Sequence, residues 1–403
     1  LEERFGLAQR AINMQPYLHF DTNFMKYALM SLGVQDAIKS KATGMTAKGI
    51  KAARLKLIPV PFPPISEQVR IVAKVDELMA LCDDLESRKQ KTHQTCIQLN
   101  DASIDKLLTA PTPAKFNRHW QRIADNFDLL YGKPENVSKL RQAILQLAVQ
   151  GKLVKQNPED EPAAMLLEKI SAERDRLIKG IKGRKPNPLQ PVGEKDIAAS
   201  MPEGWAVERF GNIALITGGV TKGRKLAGRK TGWFPYLRVA NVQRWHLNLD
   251  EIKEIEIPVD ELEKYRLRSG DILVTEGGDW DKVGRAAIWE DQVNNCLHQN
   301  HIFKARLYSD SVERNWTVMF INSPVGRGYF TGASKQTTNL ASINMTQLRH
   351  CPIPLPSRAE QKRIVTKVYH LMALCDDLEA KLIKGQAKSS KLLEAAMADL
   401  LAA

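Results

Sequence analysis

The sequence predicts an α+β protein in which mixed β-rich domain structure is joined by long α-helices that pair as an antiparallel coiled coil. Three observations carry this expectation. A stretch of sequence recurs almost unchanged 293 residues later, each copy carries apolar residues at alternating spacings of four and three, and residues 205 to 356 switch to short β-rich runs broken by Gly, Asn and Asp.

The repeat sets the organisation. Leu78–Glu86 returns letter for letter as Leu371–Glu379. At the same offset Pro59, Pro61 and Pro63 meet Pro352, Pro354 and Pro356, and Glu67-Gln68 meets Glu360-Gln361, giving 19 identities over the 28 positions from 59 to 86. Such a period is far too long for a solenoid, so the unit is a domain plus a connector, used twice. Upstream the likeness fades but keeps register, with Gly33 on Gly326, Ile50 on Ile343 and Leu55 on Leu348. Residues 1–65 are therefore expected to be the C-terminal part of a first domain.

Residues 66–110 read as the first long helix and 357–403 as the second. The seams run through Ile71, Val75, Leu78, Cys82 and Leu85, and through Ile364, Val368, Leu371, Cys375 and Leu378. At ~1.5 Å per residue the first helix would be roughly 65 Å long, too extended to bury its seam alone. Two copies of one seam pack most economically on each other; packing of each on its own domain is the competing reading. Between them, 111–200 form a central region. It is punctuated by proline to 134, helical over 137–149 with a stop at Gly151, helical again over 162–179, and a linker from Lys182 to Ser200 with three prolines and two glycines. Residues 201–356 are the second domain, with strands expected at Ile213–Thr217, Tyr236–Val239, Asp271–Thr275 and Ala286–Trp289, and a helix at about 311–322.

Composition narrows the class. With 403 residues, 43% hydrophobic and 26% charged, the chain is globular and too long for one core. No apolar run approaches the ~20 residues of a membrane span. Leu1-Glu2-Glu3-Arg4 has neither the basic stretch nor the apolar core of a signal peptide, and the five cysteines contain no CxxC pair, so a cytoplasmic chain without disulfides or a thiolate zinc site is expected. The net charge of +13 favours a polyanionic partner. Its excess is spread as +1 over 1–86, +7 over 87–200, +3 over 201–355 and +2 over 356–403, and is not confined to a tail.

Catalytic chemistry finds no foothold. Gly218 to Arg224 nearly makes a phosphate-binding loop, but Arg224 and Lys225 replace the Lys and Ser or Thr that it needs. Glu251-Ile252-Lys253 resembles a nuclease half-motif without an upstream acid over 210–249. His298 and His301 sit three apart beside Cys296, a spacing that alternates faces in a strand and so disfavours a metal. No catalytic residue, metal or cofactor is expected.

What remains is recognition by loops. Five cations in nine positions, Lys222, Arg224, Lys225, Arg229 and Lys230, suit phosphates. Arg238, Asn241, Gln243, Arg244 and Trp245, then Trp280 and Lys282, then Lys335, Gln336, Thr337 and Asn339 supply the guanidinium, amide and aromatic groups that pair with or pack on bases.

On these motifs the sequence resembles the DNA sequence-specificity subunits of type I restriction-modification systems. Met201-Pro202-Glu203-Gly204-Trp205, Gly270-Asp271-Ile272-Leu273-Val274, Ile353-Pro354-Leu355-Pro356 with Glu360-Gln361, Lys139–Leu145 and Gly151-Lys152-Leu153 carry the likeness, which covers essentially the whole chain. The resemblance implies a non-catalytic subunit in which two target-recognition domains each read half of a split site on double-stranded DNA. It also implies that paired helices set the spacing and dock methyltransferase subunits, with restriction subunits added for cleavage. By the repeat offset the counterpart of Met201 would fall at position −92, ahead of position 1, so one complete recognition domain is expected, reading one half-site. A coiled-coil scaffold with an incidental basic surface is the alternative.

Overall fold

A computed structural model describes residues 11–14, 19–43, 49–180, 189–193, 201–226, 228–278, 282–336 and 341–402. They fall into two compact units, Leu1–Cys96 and Ile97–Ala403, divided within one long helix. In the first unit α1 (Thr22–Met30) and α2 (Leu32–Lys41) meet at Ser31, the C-cap of one and the N-cap of the other. Asp21 caps α1 by accepting from the backbone N–H of Asn23 and Phe24. A short α3 (Ala52–Leu55) leads through prolines into α4 (Ile65–Leu108), a 44-residue helix about 66 Å long at ~1.5 Å per residue. Phe24, Ala28 and Val72 form a small core.

The second unit begins with the end of α4 and four helices, α5 (Pro113–Asp125), α6 (Phe127–Leu130), α7 (Pro134–Val149) and α8 (Ala163–Lys179). Within the proline-punctuated stretch 111–134, Pro113 starts α5, as Pro134 starts α7, because the first turn of a helix needs no N–H donor. Thr112 caps α5 by accepting from Lys115 N–H at 3.3 Å. Of the expected linker from Lys182 to Ser200, only 189–193 lie within the described residues.

The β-rich domain runs β1 (Ala206–Arg209), α9 (Phe210–Ile213), β2 (Ala214–Thr217), β3 (Thr231–Leu237), β4 (Lys253–Pro258), α10 (Leu262–Tyr265), β5 (Ile272–Thr275), β6 (Gly277–Gly278), β7 (Ala286–Ile288), β8 (Leu297–His298), β9 (Ile302–Leu307), α11 (Arg314–Asn322), α12 (Pro324–Ala333), β10 (Lys335–Gln336), β11 (Ala341–Ser342), α13 (Met345–His350) and β12 (Pro352–Leu355), then enters α14 (Arg358–Ala402). The four-stranded sheet β2-β9-β5-β7 is antiparallel and central; β4-β3-β8, β10-β11-β6 and β1-β12 complete the domain. The expected α+β class with long helices is what the chain adopts. Ser323-Pro324, anticipated only as the end of a helix, also starts α12, because Ser323 Oγ accepts from Gly326 N–H.

The repeat is visible in three dimensions. In both units a nine-residue and a ten-residue helix share a serine cap, and a short helix and a proline stretch lead into the long helix. Gln68, buried, accepts from Asp21 N–H at 3.0 Å and donates to Pro63 O at 2.7 Å. Gln361 makes the same two bonds, from Glu313 N–H at 2.8 Å and to Pro356 O at 2.9 Å. The motif Met201–Trp205 is likewise a joint. Trp205 stands perpendicular to the Trp316 ring at 5.5 Å and donates to Glu360 Oε2 at 3.0 Å, while Gly151, at φ +67°, leaves Pro202 the space that a Cβ would fill.

The seams are placed as follows. Ile364, Val368 and Cys375 are buried, and Leu371 and Leu378 half-buried, against a core that includes Val137, Ile144 and Ala148 of α7 and Trp316 of α11. Arg141 of α7 fixes this packing by ion pairs to Asp376 at 2.5 Å and Glu379 at 2.8 Å. The seam of α14 thus packs on α7 and α11, and Leu378 also meets the cluster of Leu107, Leu130 and Tyr131. In α4, Ile71 and Val75 are half-buried while Leu78, Cys82 and Leu85 are exposed.

Candidate nucleic-acid interface

The frame is rigid because its polar groups are spent on itself. Gly270, at φ +88°, turns the chain so that buried Asp271 accepts from Arg268 N–H at 2.8 Å and takes both Arg306 Nε and Nη2 at 2.7 Å. Lys304, also buried, donates to the carbonyls of Lys264 and Arg266, and burial brings its ammonium down to about 8. These bonds hold β5 and β9, from which the loops project.

Four segments singled out from sequence are joined by one continuous backbone network. Val220 N–H donates to His298 O at 2.8 Å and Asn300 N–H to Val220 O at 3.0 Å, setting the start of the cation run beside 298–301. Glu276 N–H donates to His301 O and Ile343 N–H to Glu276 O, each at 2.9 Å. β6 pairs with β11 and β11 with β10, which puts Gly277-Gly278 in one small sheet with Lys335 and Gln336. The hairpin 242–247 is tied to β7 by Trp245 N–H donating to Ala286 O at 3.1 Å and by Arg285 donating to Gln243 Oε1 at 2.7 Å.

Individual candidates fare differently. Asn241 is buried; its amide donates to the carbonyls of Asn248 and Glu251, and its oxygen accepts from Arg238 N–H. A side chain so saturated holds the loop and has nothing left for a base. Gln243 is similarly used, through Arg285 and Ala240 O. Arg238 pairs with Glu251 at 3.1 Å. Arg224 and Arg229 both clamp Glu261, at 2.8 and 2.6 Å, and Arg229 also takes Asp260. These guanidiniums hold the Glu261 carboxyl below the usual carboxylate range. The sequence reading missed this because the acids lie some 30 residues away and are brought in by the β3-β4 hairpin. Lys222, Lys225 and Lys230 are exposed, with no ion pair among the described residues. Arg244 and Lys282 are half-buried and Trp245 exposed. Lys335 and Gln336 are placed by backbone alone; Trp280, Thr337 and Asn339 lie outside the described residues.

Sequence reasoning passed over an exposed pair at the centre of the network, His301 Nδ1 to Glu276 at 2.5 Å, with Asn300 beside it. It also missed exposed Trp233 on β3. Neither has a motif; strand pairing alone brings them forward. Cys296, His298 and His301 are placed apart. His298 is buried with Nδ1–H donating to Ile302 O, His301 faces out, and the Cys296 thiol donates to Leu297 O. Among the described residues no group of three His, Cys, Asp or Glu could hold a metal ion, and no helix is long and apolar enough to cross a membrane.

A rigid β-rich frame that gathers lysine, aromatic and amide loops beside a helical connector defines a macromolecular recognition domain. Residues 2–93 and 202–385, more than half of the chain, match the family model of the type I restriction modification DNA specificity domain, and the chain belongs to that family. It is 31% identical over 353 residues to the type I restriction enzyme EcoEI specificity subunit of Escherichia coli, and 30% over 383 residues to the EcoAI specificity subunit of the same species. These alignments cover 84% and 91% of this chain but 57% and 62% of those proteins. The fold is similar to that of the HsdS subunit from Thermoanaerobacter tengcongensis (18% identity, TM-score 0.37, 89% of this chain and 66% of that one). It is also similar to a chain from a structure of type I restriction-modification complex assembly (17%, TM-score 0.44, 93% and 70%).

Proposed function

We propose that this chain is the non-catalytic reader of a type I restriction-modification complex in the cytoplasm. It recognises one half-site of a split target on double-stranded DNA through residues 201–356, and docks methyltransferase subunits, with restriction subunits in the full complex, through its helical regions. The observation that carries the reading is the backbone network that brings Val220, 242–247, 276–278, 298–301, 335–336 and 341–343 onto one frame. Sequence-independent affinity then comes from phosphate contacts and specificity from the loop tips. Selection from a randomised duplex pool, with and without a methyltransferase subunit, tests it: one short enriched motif is expected, and salt-sensitive binding without any motif would favour the scaffold alternative.

Two substitutions separate the cations. Replacing Lys222, Lys225 and Lys230 with Ala is expected to weaken binding to all sequences alike and to flatten the log–log salt dependence by up to about 0.9 for each phosphate no longer neutralised. Titrations at several salt concentrations measure this, and an unchanged slope would remove the lysines from the interface. Glu261→Gln should act in the opposite sense. It loosens Arg224 and Arg229 from their acid clamp and adds positive charge, so affinity for random duplex is expected to rise by about two- to tenfold, the scale of one surface electrostatic interaction.

A further inference from the structure

We propose that Trp245 is an aromatic wedge pressed by its hairpin between base pairs of the half-site, so that the target is read partly by how readily one step opens. The proposal rests on the recognition reading above. The hairpin closes with the Val242–Leu247 bridge and Gln243 N–H donating to His246 O at 3.0 Å. Its fourth residue, Trp245, sits at φ +75°, in the left-handed region. Gly or Asn is the ordinary occupant of that position, because a bulky side chain there crowds its own backbone.

The usual compensation is missing. A strained aromatic residue persists in a core when burial offsets the strain, but Trp245 is 41% exposed. Backbone strain kept at an exposed tip points to use at that tip. The hairpin is also pre-organised. Asn241 saturates its base, Gln243 is bonded to Arg285 and Ala240 O, Trp245 N–H is held by Ala286 O, and Leu247 packs on the core beneath. An indole so presented loses little freedom on binding, and apolar wedges that part a base step gain from the bend they produce. Among the described residues, Trp245 combines exposure, a left-handed backbone and anchoring.

The test compares the full chain with W245G and W245F. Expected for W245G are a melting temperature equal to or above that of the parent, an unchanged salt slope on random duplex, and at least a tenfold loss on the duplex enriched from the randomised pool. W245F should retain most of the affinity. With 2-aminopurine placed in turn along the enriched duplex, one position should brighten with the parent and with W245F but not with W245G. Intact preference for the enriched duplex in W245G, or a lowered melting temperature with no brightening at any position in the parent, would overturn the wedge. A parent chain that enriches no motif would overturn the recognition reading and the wedge with it, whereas enrichment indifferent to W245G overturns the wedge alone.

Discussion

Trp316→Ala is expected to cost about 3–5 kcal/mol of stability, the range of large aromatic truncations in cores. The side chain is wholly buried, stands perpendicular to the Trp205 ring at 5.5 Å, and donates Nε1–H to Pro354 O at 2.8 Å. Truncation therefore opens a cavity and strands a buried carbonyl at once. The site joins α11 to β12 and lies in the same core as Ile364 and Val368 of α14, so the loss should loosen the recognition domain from its helix. Trp316→Phe keeps most of the packing and should cost roughly 1–3 kcal/mol, chiefly for the unpaired Pro354 oxygen. Urea unfolding at constant slope gives both values. Total stability of a domain is about 5–15 kcal/mol, so the alanine variant gives up a large share of it, and any loss of DNA binding should track its unfolding curve.

Acid should unfold the recognition domain through His298. Burial, reinforced by the nearby Lys304 ammonium, pushes its imidazole down to about 3 from an ordinary value of 6.5. The neutral ring is held by Nδ1–H donating to Ile302 O at 2.9 Å, and among the described residues Nε2 has no partner to accept a new proton's bond. A lowered folded value means that the unfolded chain binds the proton first. The stabilisation is complete above pH 6.5 and is lost as pH falls toward 3, at about 1.4 kcal/mol per pH unit. Stability should thus drop by roughly 4 kcal/mol across that window, and His298→Gln should remove most of the slope if it folds. A pH series of urea midpoints on both chains decides it; parallel curves would show that other groups govern acid lability. At the alkaline end Lys304 acts in the same sense. Its ammonium titrates at about 8 when folded and near 10.5 when free, so stability should rise with pH between those values.

Local signals made much of this architecture legible. The two long helices follow from apolar spacing, the strands around Ile272–Thr275 and Ala286–Ile288 from short β-rich runs, and the duplicated joint from Gln68 and Gln361 at one offset. The helices α5 and α6 were missed because a proline reads as a breaker unless its place at a helix start is known. In the candidate interface, residue type alone nominated Asn241, Arg224 and Arg229. Whether each was free depended on partners 7 to 37 residues away in the chain.

The sequence by itself determined the α+β class, the repeat, the helix periodicity and the family resemblance, because each is written in spacings along the chain. Tertiary structure decided which seam meets which surface, which cations stay in solvent, and which aromatic stands strained at a loop tip. Those outcomes depend on long-range pairing. Glu261 reaches Arg224 and Arg229 only once β3 and β4 have paired, and Trp245 is fixed only once Ala286 and Arg285 lie beneath it.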